Sequence, residues 1–558
     1  MSSNVGAALI DSLMRCLPPA AGESAHLSRV VQAMADALEQ GNLGLDLEGD
    51  PPEGIEPEHW PAAVLATLAS SGWMVQAEAL DRHPEAPIVQ DGSCLRWRRW
   101  HQHLQSCLER LLDLGCSPLD PPAADSMLAS ARQRSEQAGL DSSQCAAVTA
   151  LLQRRMVLLT GGPGTGKTST VVQMLAAALH LNPQLRIQLA APTGKAAARL
   201  GEAVFSGCQA LQPALAAQLQ QLPSTTLHRL LEARADHRFR RNHRLPLELD
   251  LLVVDEVSMV DLPLMTALLE ALPSRGQLVL VGDGHQLPPV GPGTVLQELS
   301  QPERLRQLGQ AAVELRTTYR NEGAIAELAN HLRQRSAASG PPLMDWLRPY
   351  LQQLGGSDNV QWRQAPLSQV PIAILEPLQR HQQQLSALAG QLTWKNGTPD
   401  PQGCDQLLQE LEQLIALSPI RLGPWGVEAL HRALLGPVAK EPLHRWPLGT
   451  PVLNRHNRPE QGLANGDIGV VVKHDEQRWV LMAGRRLLHP ARLGAAEPAL
   501  ALTVHKAQGS QYGTVLLVLP PSRNSDPRLL YTGLTRARRQ AVLITPLEAP
   551  PGHPSEPA

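Results

Sequence analysis

The sequence predicts a multidomain α/β protein built on parallel sheets, with a helical region before them and a small β-barrel insert late in the chain. Three observations predict it. Short apolar runs at 156–159, 187–191, 251–255 and 278–282 alternate with helix-patterned stretches, the pattern of a parallel sheet with crossover helices. The segment Gly161-Gly162-Pro163-Gly164-Thr165-Gly166-Lys167-Thr168 fits G-x-x-x-x-G-K-[ST] without mismatch. It directly follows the first run and precedes Val171, Val172, Leu175, Ala178 and Leu179 at helical spacing. A second set of strand-like runs, at 414–420, 499–502, 514–519 and 541–545, lies near the C-terminus.

Bulk properties narrow the function classes. A chain of 558 residues has room for several cores, and with two Phe and four Tyr those cores must be mostly aliphatic. The net charge of -3 gives no global attraction for a polyanion, so nucleic-acid contacts would have to come from local patches. Seven scattered cysteines without a C-x-x-C pair indicate neither a zinc site nor a disulfide framework, and point to a reducing cytoplasm. The N-terminus lacks a basic-then-apolar leader, and no apolar run is long enough to cross a membrane.

The elements fall in order. Residues 1–140 read as a helical N-terminal, partner-binding domain with loops near 50–61 and 83–84. Within it, 94–114 reads as a helix with Trp97 and Trp100 on one face among Arg96, Arg98 and Arg99. Such a mixture can stack on bases, although packing the tryptophans on a core or a partner is the commoner use. Residues 141–312 form the first α/β unit. Residues 313–450 and 499–547 form the second, which includes a Gln-rich helix at 379–391. Short strands with turns at 466–472 and 478–482 mark the insert at 451–498. The Pro-rich tail at 548–558 is expected to be disordered.

The chemistry gathers around the Gly-rich loop. Its glycines let backbone N–H groups turn inward on phosphate oxygens at a helix start, so Gly161 to Thr168, with Ser169, form a nucleoside-triphosphate cradle. Lys167 would reach the β- and γ-phosphates, and the Thr168 hydroxyl would hold Mg²⁺. The apolar run 251–254 delivers Asp255 and Glu256 to the C-terminal edge of its strand, where α/β sheets bind ligands. Asp255 would complete the Mg²⁺ shell and Glu256 would polarise the attacking water. Gln286, after the run at 278–282, can donate and accept at once, and so can sense a γ-phosphate and a water together.

These residues resemble superfamily-one helicases. The Gly-rich loop, Asp255-Glu256-Val257-Ser258-Met259 and Gly282-Asp283-x-x-Gln286-Leu287-Pro288 look like motifs I, II and III. Ala191-Pro192-Thr193-Gly194-Lys195 looks like motif Ia, Leu315-Arg316-Thr317-Thr318-Tyr319-Arg320 like motif IV, Thr503-Val504-His505-Lys506-Ala507-Gln508-Gly509 like motif V, and Tyr531-Thr532-Gly533-Leu534-Thr535-Arg536-Ala537-Arg538 like motif VI. Ser224-Thr225-Thr226-Leu227-His228 and Asn465-Gly466-Asp467-Ile468-Gly469 are similar to segments of the RecD branch, and the resemblance runs firmly from about 140 to 547.

The resemblance implies two RecA-like motor domains with ATP between them, a helical N-terminal domain and an SH3-like insert. Lys167, Glu256 and Gln286 would act from the first motor, and Arg320 and Arg536 from the second, with Arg538 the rival to Arg536. Gln144 would read the adenine. Thr193, His228, Thr503 and His505 would touch the DNA strand. The basic run 234–244 falls where relatives carry a pin hairpin, near 232–246. The implied function is an ATP-dependent 5′–3′ DNA helicase using ATP and Mg²⁺. It would be the α subunit of an exodeoxyribonuclease V, beside RecB-like and RecC-like subunits, in double-strand break repair and recombination. Nuclease activity would belong to a partner. A stand-alone RecD-type helicase and a non-translocating nucleotide-gated assembly protein are the alternatives.

Overall fold

The computed structural model describes residues 3–18, 24–39, 41–52, 54–234, 236, 238–317, 323–335, 343–353, 359–456, 458, 463–520 and 526–547. Arg320, expected to be catalytic, and the tail at 548–558 lie outside these residues.

The first motor is a six-stranded, wholly parallel sheet. Its order is Ala312–Leu315, Met156–Gly161, Gln277–Gly282, Leu251–Val254, Ile187–Ala191 and Ser224–Thr226. These strands read as continuous apolar runs because helices cover both faces. Val157, Leu159, Val253, Val279 and Val281 pack under the helix Lys167–Leu181, which follows the Gly-rich loop. On the other face Leu158, Leu252, Val254, Leu278 and Leu280 meet the helix Leu262–Ala271. The edge strand Ala312–Leu315 belongs to this sheet and not to the second unit, where the sequence boundary at 313 would put it. Four residues ending a helix-to-strand connection are too few to show which sheet they join.

The N-terminal region is not all helical. Gly44–Asp46, Cys94–Trp97, Ile88–Asp91 and Met74–Gln76 form a four-stranded sheet in that order. Strands of three or four residues are shorter than the alternation a sequence can display. The expected helix at 94–114 therefore starts only at Arg98 and runs to Cys116. Its Leu104, Leu108 and Leu111 are buried in the first motor's own core. Trp97 and Trp100 both pack against hydrophobic cores, so the tryptophan–arginine mixture serves packing. Arg96 donates to Asp91 at 2.6 Å and to Glu298 at 2.7 Å, tying the small sheet to the first motor.

The second motor is a five-stranded parallel sheet, ordered Val360–Ala365, Ala537–Pro546, Tyr512–Val518, Leu414–Ser418 and Ala501–Thr503. The insert is a five-stranded antiparallel sheet, ordered Arg486–Leu488, Gln477–Met482, Ile468–His474, Pro451–Asn454 and Ala496–Pro498. Among the described residues its two outer strands, Arg486–Leu488 and Ala496–Pro498, do not pair with each other. One of its faces shares a core with the helices Ile372–Gln391 and Pro401–Leu411, through Val470, Val472 and Leu481 against Leu385 and Leu407. Among the described residues no helix is long and apolar enough to cross a membrane.

Candidate functional site

A single cleft of about 2110 Å³ runs between the two motors. From the first it is lined by Gln144, the loop residues Pro163 to Ser169, Thr193, His228, Asp255, Glu256 and Gln286. From the second and its insert come Glu412, Ala464, Asp467, Tyr512, Arg536 and Arg538. Motifs scattered over several hundred residues thus face one space.

The Gly-rich loop is shaped by glycines in the left-handed region, Gly164 at φ 77° and Gly166 at φ 80°. Thr165 Oγ1 donates to the Gly162 carbonyl at 2.8 Å, closing the loop on itself. Lys167 Nζ donates to the carbonyls of Gly161, at 2.7 Å, and Gly162, at 2.9 Å. The ammonium therefore sits at the loop mouth where phosphate oxygens would arrive.

Glu256 has φ 53°, an uncommon left-handed conformation for a side chain larger than glycine, and its N–H donates to Asp255 Oδ1 at 2.9 Å. Burial, and then the Glu256 carboxylate, push Asp255 up to about 7, with Lys167 opposing. Such a carboxylate is costly to ionise without a counter-charge, and with the Thr168 hydroxyl, which lines the same cleft, it makes an oxygen donor set suited to Mg²⁺. Gln286 is buried, and its Oε1 has no hydrogen-bond partner among the described residues. A buried acceptor left open at a cleft is the feature a water or ligand donor would satisfy.

The loop around Gln286 is fastened to the second motor. The Leu287 N–H donates to Thr532 Oγ1 at 2.8 Å, and Gln508 Nε2 donates to the Leu287 carbonyl at 3.0 Å. Arg536 is 3% exposed, and its guanidinium donates to the carbonyls of Thr532 and Ser510 at 3.1 and 3.3 Å. Arg538 donates to Glu412 at 2.9 Å. Arg199, from the helix Gly194–Gly207, crosses from the other side to the carbonyls of Gly509, at 2.9 Å, and Gln511, at 3.2 Å.

Other expected residues are placed with additional duties. Gln144 Oε1 accepts the Asp141 N–H at 3.1 Å in a capping box, which fixes its amide at the cleft wall. Thr193 caps the helix Gly194–Gly207 by accepting the Ala196 N–H. His228 lies 5.9 Å from Phe239, and burial lowers its pKa. Thr503 and His505 are not among the residues lining this cleft. In the basic run, Arg240 pairs with Glu232 at 2.9 Å, and Arg241 pairs with Glu232 and Glu248. Those two arginines fold the hairpin as well as charging it.

Sequence reasoning passed over Asp283, Tyr531, Arg199 and Arg333. Asp283 and Tyr531 stood inside motifs, but nothing in their spacing tells that they meet. Arg333 belongs to no motif and looks like one basic residue on an amphipathic helix.

Two family models match the chain: one described as an AAA domain, over residues 144–292, and one described as a UvrD-like helicase C-terminal domain, over residues 498–544. The RecBCD enzyme subunit RecD of Mycolicibacterium smegmatis is 33% identical over 538 residues, covering 93% of this chain and 89% of that protein. The ATP-dependent RecD2 DNA helicase of Deinococcus radiodurans is 32% identical over 408 residues, covering 72% of this chain and 48% of that protein. A solved structure of Bacteroides Pif1 bound to ssDNA aligns with 72% of this chain and 92% of its own, at 19% identity and a TM-score of 0.40.

Proposed function

Since the chain belongs to the RecD family of ATP-dependent DNA helicases, we propose that it is the RecD-type subunit of an exodeoxyribonuclease V, driving 5′–3′ translocation on DNA. The observation that carries this reading is the shared cleft, in which Lys167, Asp255, Glu256 and Gln286 of one motor face Arg536 of the other. An arginine supplied across a domain boundary stabilises developing phosphate charge only when the cleft is closed. Hydrolysis is thereby tied to closure, and closure to a step along the strand. Thr168 and Asp255 would hold Mg²⁺, which would supply positive charge against the nucleotide's phosphates, and Glu256 would polarise the attacking water. The rest of the cleft, with Thr193, His228 and the insert loop, is the path for single-stranded DNA.

The subunit reading is favoured over a stand-alone helicase because the match takes in 89% of the Mycolicibacterium RecD's own length, against 48% of RecD2's. In that reading the N-terminal region faces RecB-like and RecC-like partners in the cytoplasm, nuclease activity resides in a partner, and the assembly works in double-strand break repair. The test is DNA-stimulated ATPase and unwinding by the purified chain, alone and with the RecB-like and RecC-like proteins of the same cell. ATPase without any stimulation by single-stranded DNA would overturn the translocase reading. Failure to co-purify with either partner would overturn the subunit reading alone.

A further inference from the structure

Arg333 comes from the second motor's helix Ala324–Gln334, yet its guanidinium lies against the first motor's phosphate loop. A Cβ on Gly162 would meet Arg333 Nη1 and the Tyr531 hydroxyl, each at 3.4 Å. Arg333 Nη2 donates to Glu314 Oε1 at 3.1 Å. Glu314 is on the edge strand Ala312–Leu315, in register with Thr160 of the strand that leads into the loop. The pair therefore spans the boundary between the two motors.

We propose that Arg333 is a ligand for the terminal phosphate of bound nucleoside triphosphate, held on Glu314 until that phosphate arrives. This rests on the helicase reading of the cleft. Three features support it. The Arg333 side chain is 19% exposed against 40% for Glu314, so the arginine is the more enclosed partner of a bridge whose acid faces solvent. A terminal phosphate carries more charge than one carboxylate and offers three acceptor oxygens, so it competes well for a guanidinium fork. Glu314 Oε2 also accepts from Arg316 Nε at 3.0 Å, so the carboxylate keeps a partner when Arg333 leaves. Exchange of Arg333 from acid to phosphate would pull its helix, and the second motor with it, toward the loop. A diphosphate lacks the group to be grasped, so Arg333 would distinguish ATP from ADP.

The experiment measures binding of a fluorescent non-hydrolysable ATP analogue and of fluorescent ADP to the full chain, with DNA-stimulated turnover alongside. Arg333→Ala should weaken the triphosphate analogue about tenfold to a hundredfold, the worth of one charge-assisted hydrogen bond, while ADP binding holds. Arg333→Lys should recover part of that loss. Glu314→Gln should shift preference the other way, toward the triphosphate, because Arg333 is released. Equal weakening of both nucleotides, or Glu314→Gln behaving like Arg333→Ala, would mean a structural tie and overturn the proposal. Unchanged discrimination in Arg333→Ala would overturn it as well. Lys167→Ala serves as the reference: wild-type protein that fails to turn over ATP sinks the helicase reading itself, a result distinct from an active wild type with an indifferent Arg333.

Discussion

The Tyr531 hydroxyl donates to Asp283 Oδ2 at 2.8 Å, joining the loop that carries Gln286 to the helix that leads into Arg536. Both partners are enclosed, Asp283 at 1% exposure and Tyr531 at 2%. Gln286 Nε2 lies 3.5 Å from the same carboxylate oxygen. One acceptor therefore faces both Gln286, the proposed γ-phosphate sensor of the first motor, and the arginine-bearing element of the second. Tyr531→Phe leaves that acceptor only the long contact to Gln286, a cost of about 1–3 kcal/mol. We expect it to lower kcat of DNA-stimulated ATPase about tenfold or more by the same principle, with ATP affinity nearly kept. A kcat within twofold of wild type would show that the bond only fastens the domains.

Lys167→Ala should abolish DNA-stimulated ATPase without unfolding the chain, since among the described residues the lysine hydrogen-bonds to loop carbonyls alone. Glu256→Gln should still bind ATP but not hydrolyse it, because the phosphate contacts survive while the water loses its base. Turnover near wild-type levels in either variant, measured by phosphate release, would remove that residue from the catalytic set.

Arg536→Ala should lose on the order of 10³-fold in turnover, the scale of an arginine supplied to a transferring phosphoryl group, with a much smaller change in nucleotide affinity. Its guanidinium bonds to carbonyls of its own domain, so the variant's thermal unfolding must be recorded as well. Arg320→Ala should show the same kinetic loss. If Arg536→Ala hydrolyses normally, Arg538, paired with Glu412, is the next candidate.

Polarity and strand separation can be read together. The protein, with its partners, should unwind duplexes with 5′ tails and leave 3′-tailed ones intact. Arg234, Arg238 and Arg244 in the basic hairpin should matter for unwinding more than for hydrolysis. Arg241 is the wrong choice for this test, because it holds both Glu232 and Glu248. The triple alanine variant at 234, 238 and 244 should unwind poorly while single-strand-stimulated ATPase persists; equal loss of both would mean the run merely grips DNA.

Acid should loosen the second motor through His431. Burial holds this histidine at about 4, and its ring nitrogen accepts the Ala501 N–H at 3.1 Å. Between that value and the ordinary 6.5, the unfolded chain binds a proton that the folded chain does not. The stabilising contribution is full above 6.5 and is lost as pH falls toward 4, by on the order of 3 kcal/mol. Urea midpoints measured across this window should fall less steeply for His431→Gln, which keeps an acceptor without the titration.

The strands flanking the Gly-rich loop were legible because burial on both faces leaves long apolar runs, as at 251–254. The strand Ala312–Leu315 was not, since its Glu314 breaks the run and its partner strand lies 154 residues earlier, Ala312 pairing with Leu158. That Lys167, Asp255 and Glu256 share one cleft could be read ahead because phosphate and metal chemistry tolerates few alternatives at fixed spacing. The meetings of Tyr531 with Asp283 and of Arg333 with Gly162 depend on how two sheets dock, which no local spacing encodes. The three-residue strands of the N-terminal sheet failed for the opposite reason: too few residues to alternate.

The insert loop has a topological consequence. Ala464 packs so closely on the helix start of the first motor that a Cβ on Gly194 would lie 2.6 Å from its own Cβ. The loop belongs to the second motor's side of the cleft, so this contact bridges the proposed DNA path like a clasp, while Arg199 joins the two sides again at Gly509. A strand lying beneath would be encircled, and could leave only by running off an end or by the clasp opening. Retention on DNA would then be a matter of linkage rather than adhesion. On that account, salt that strips phosphate contacts should release linear single strands far faster than covalently closed circles loaded beforehand.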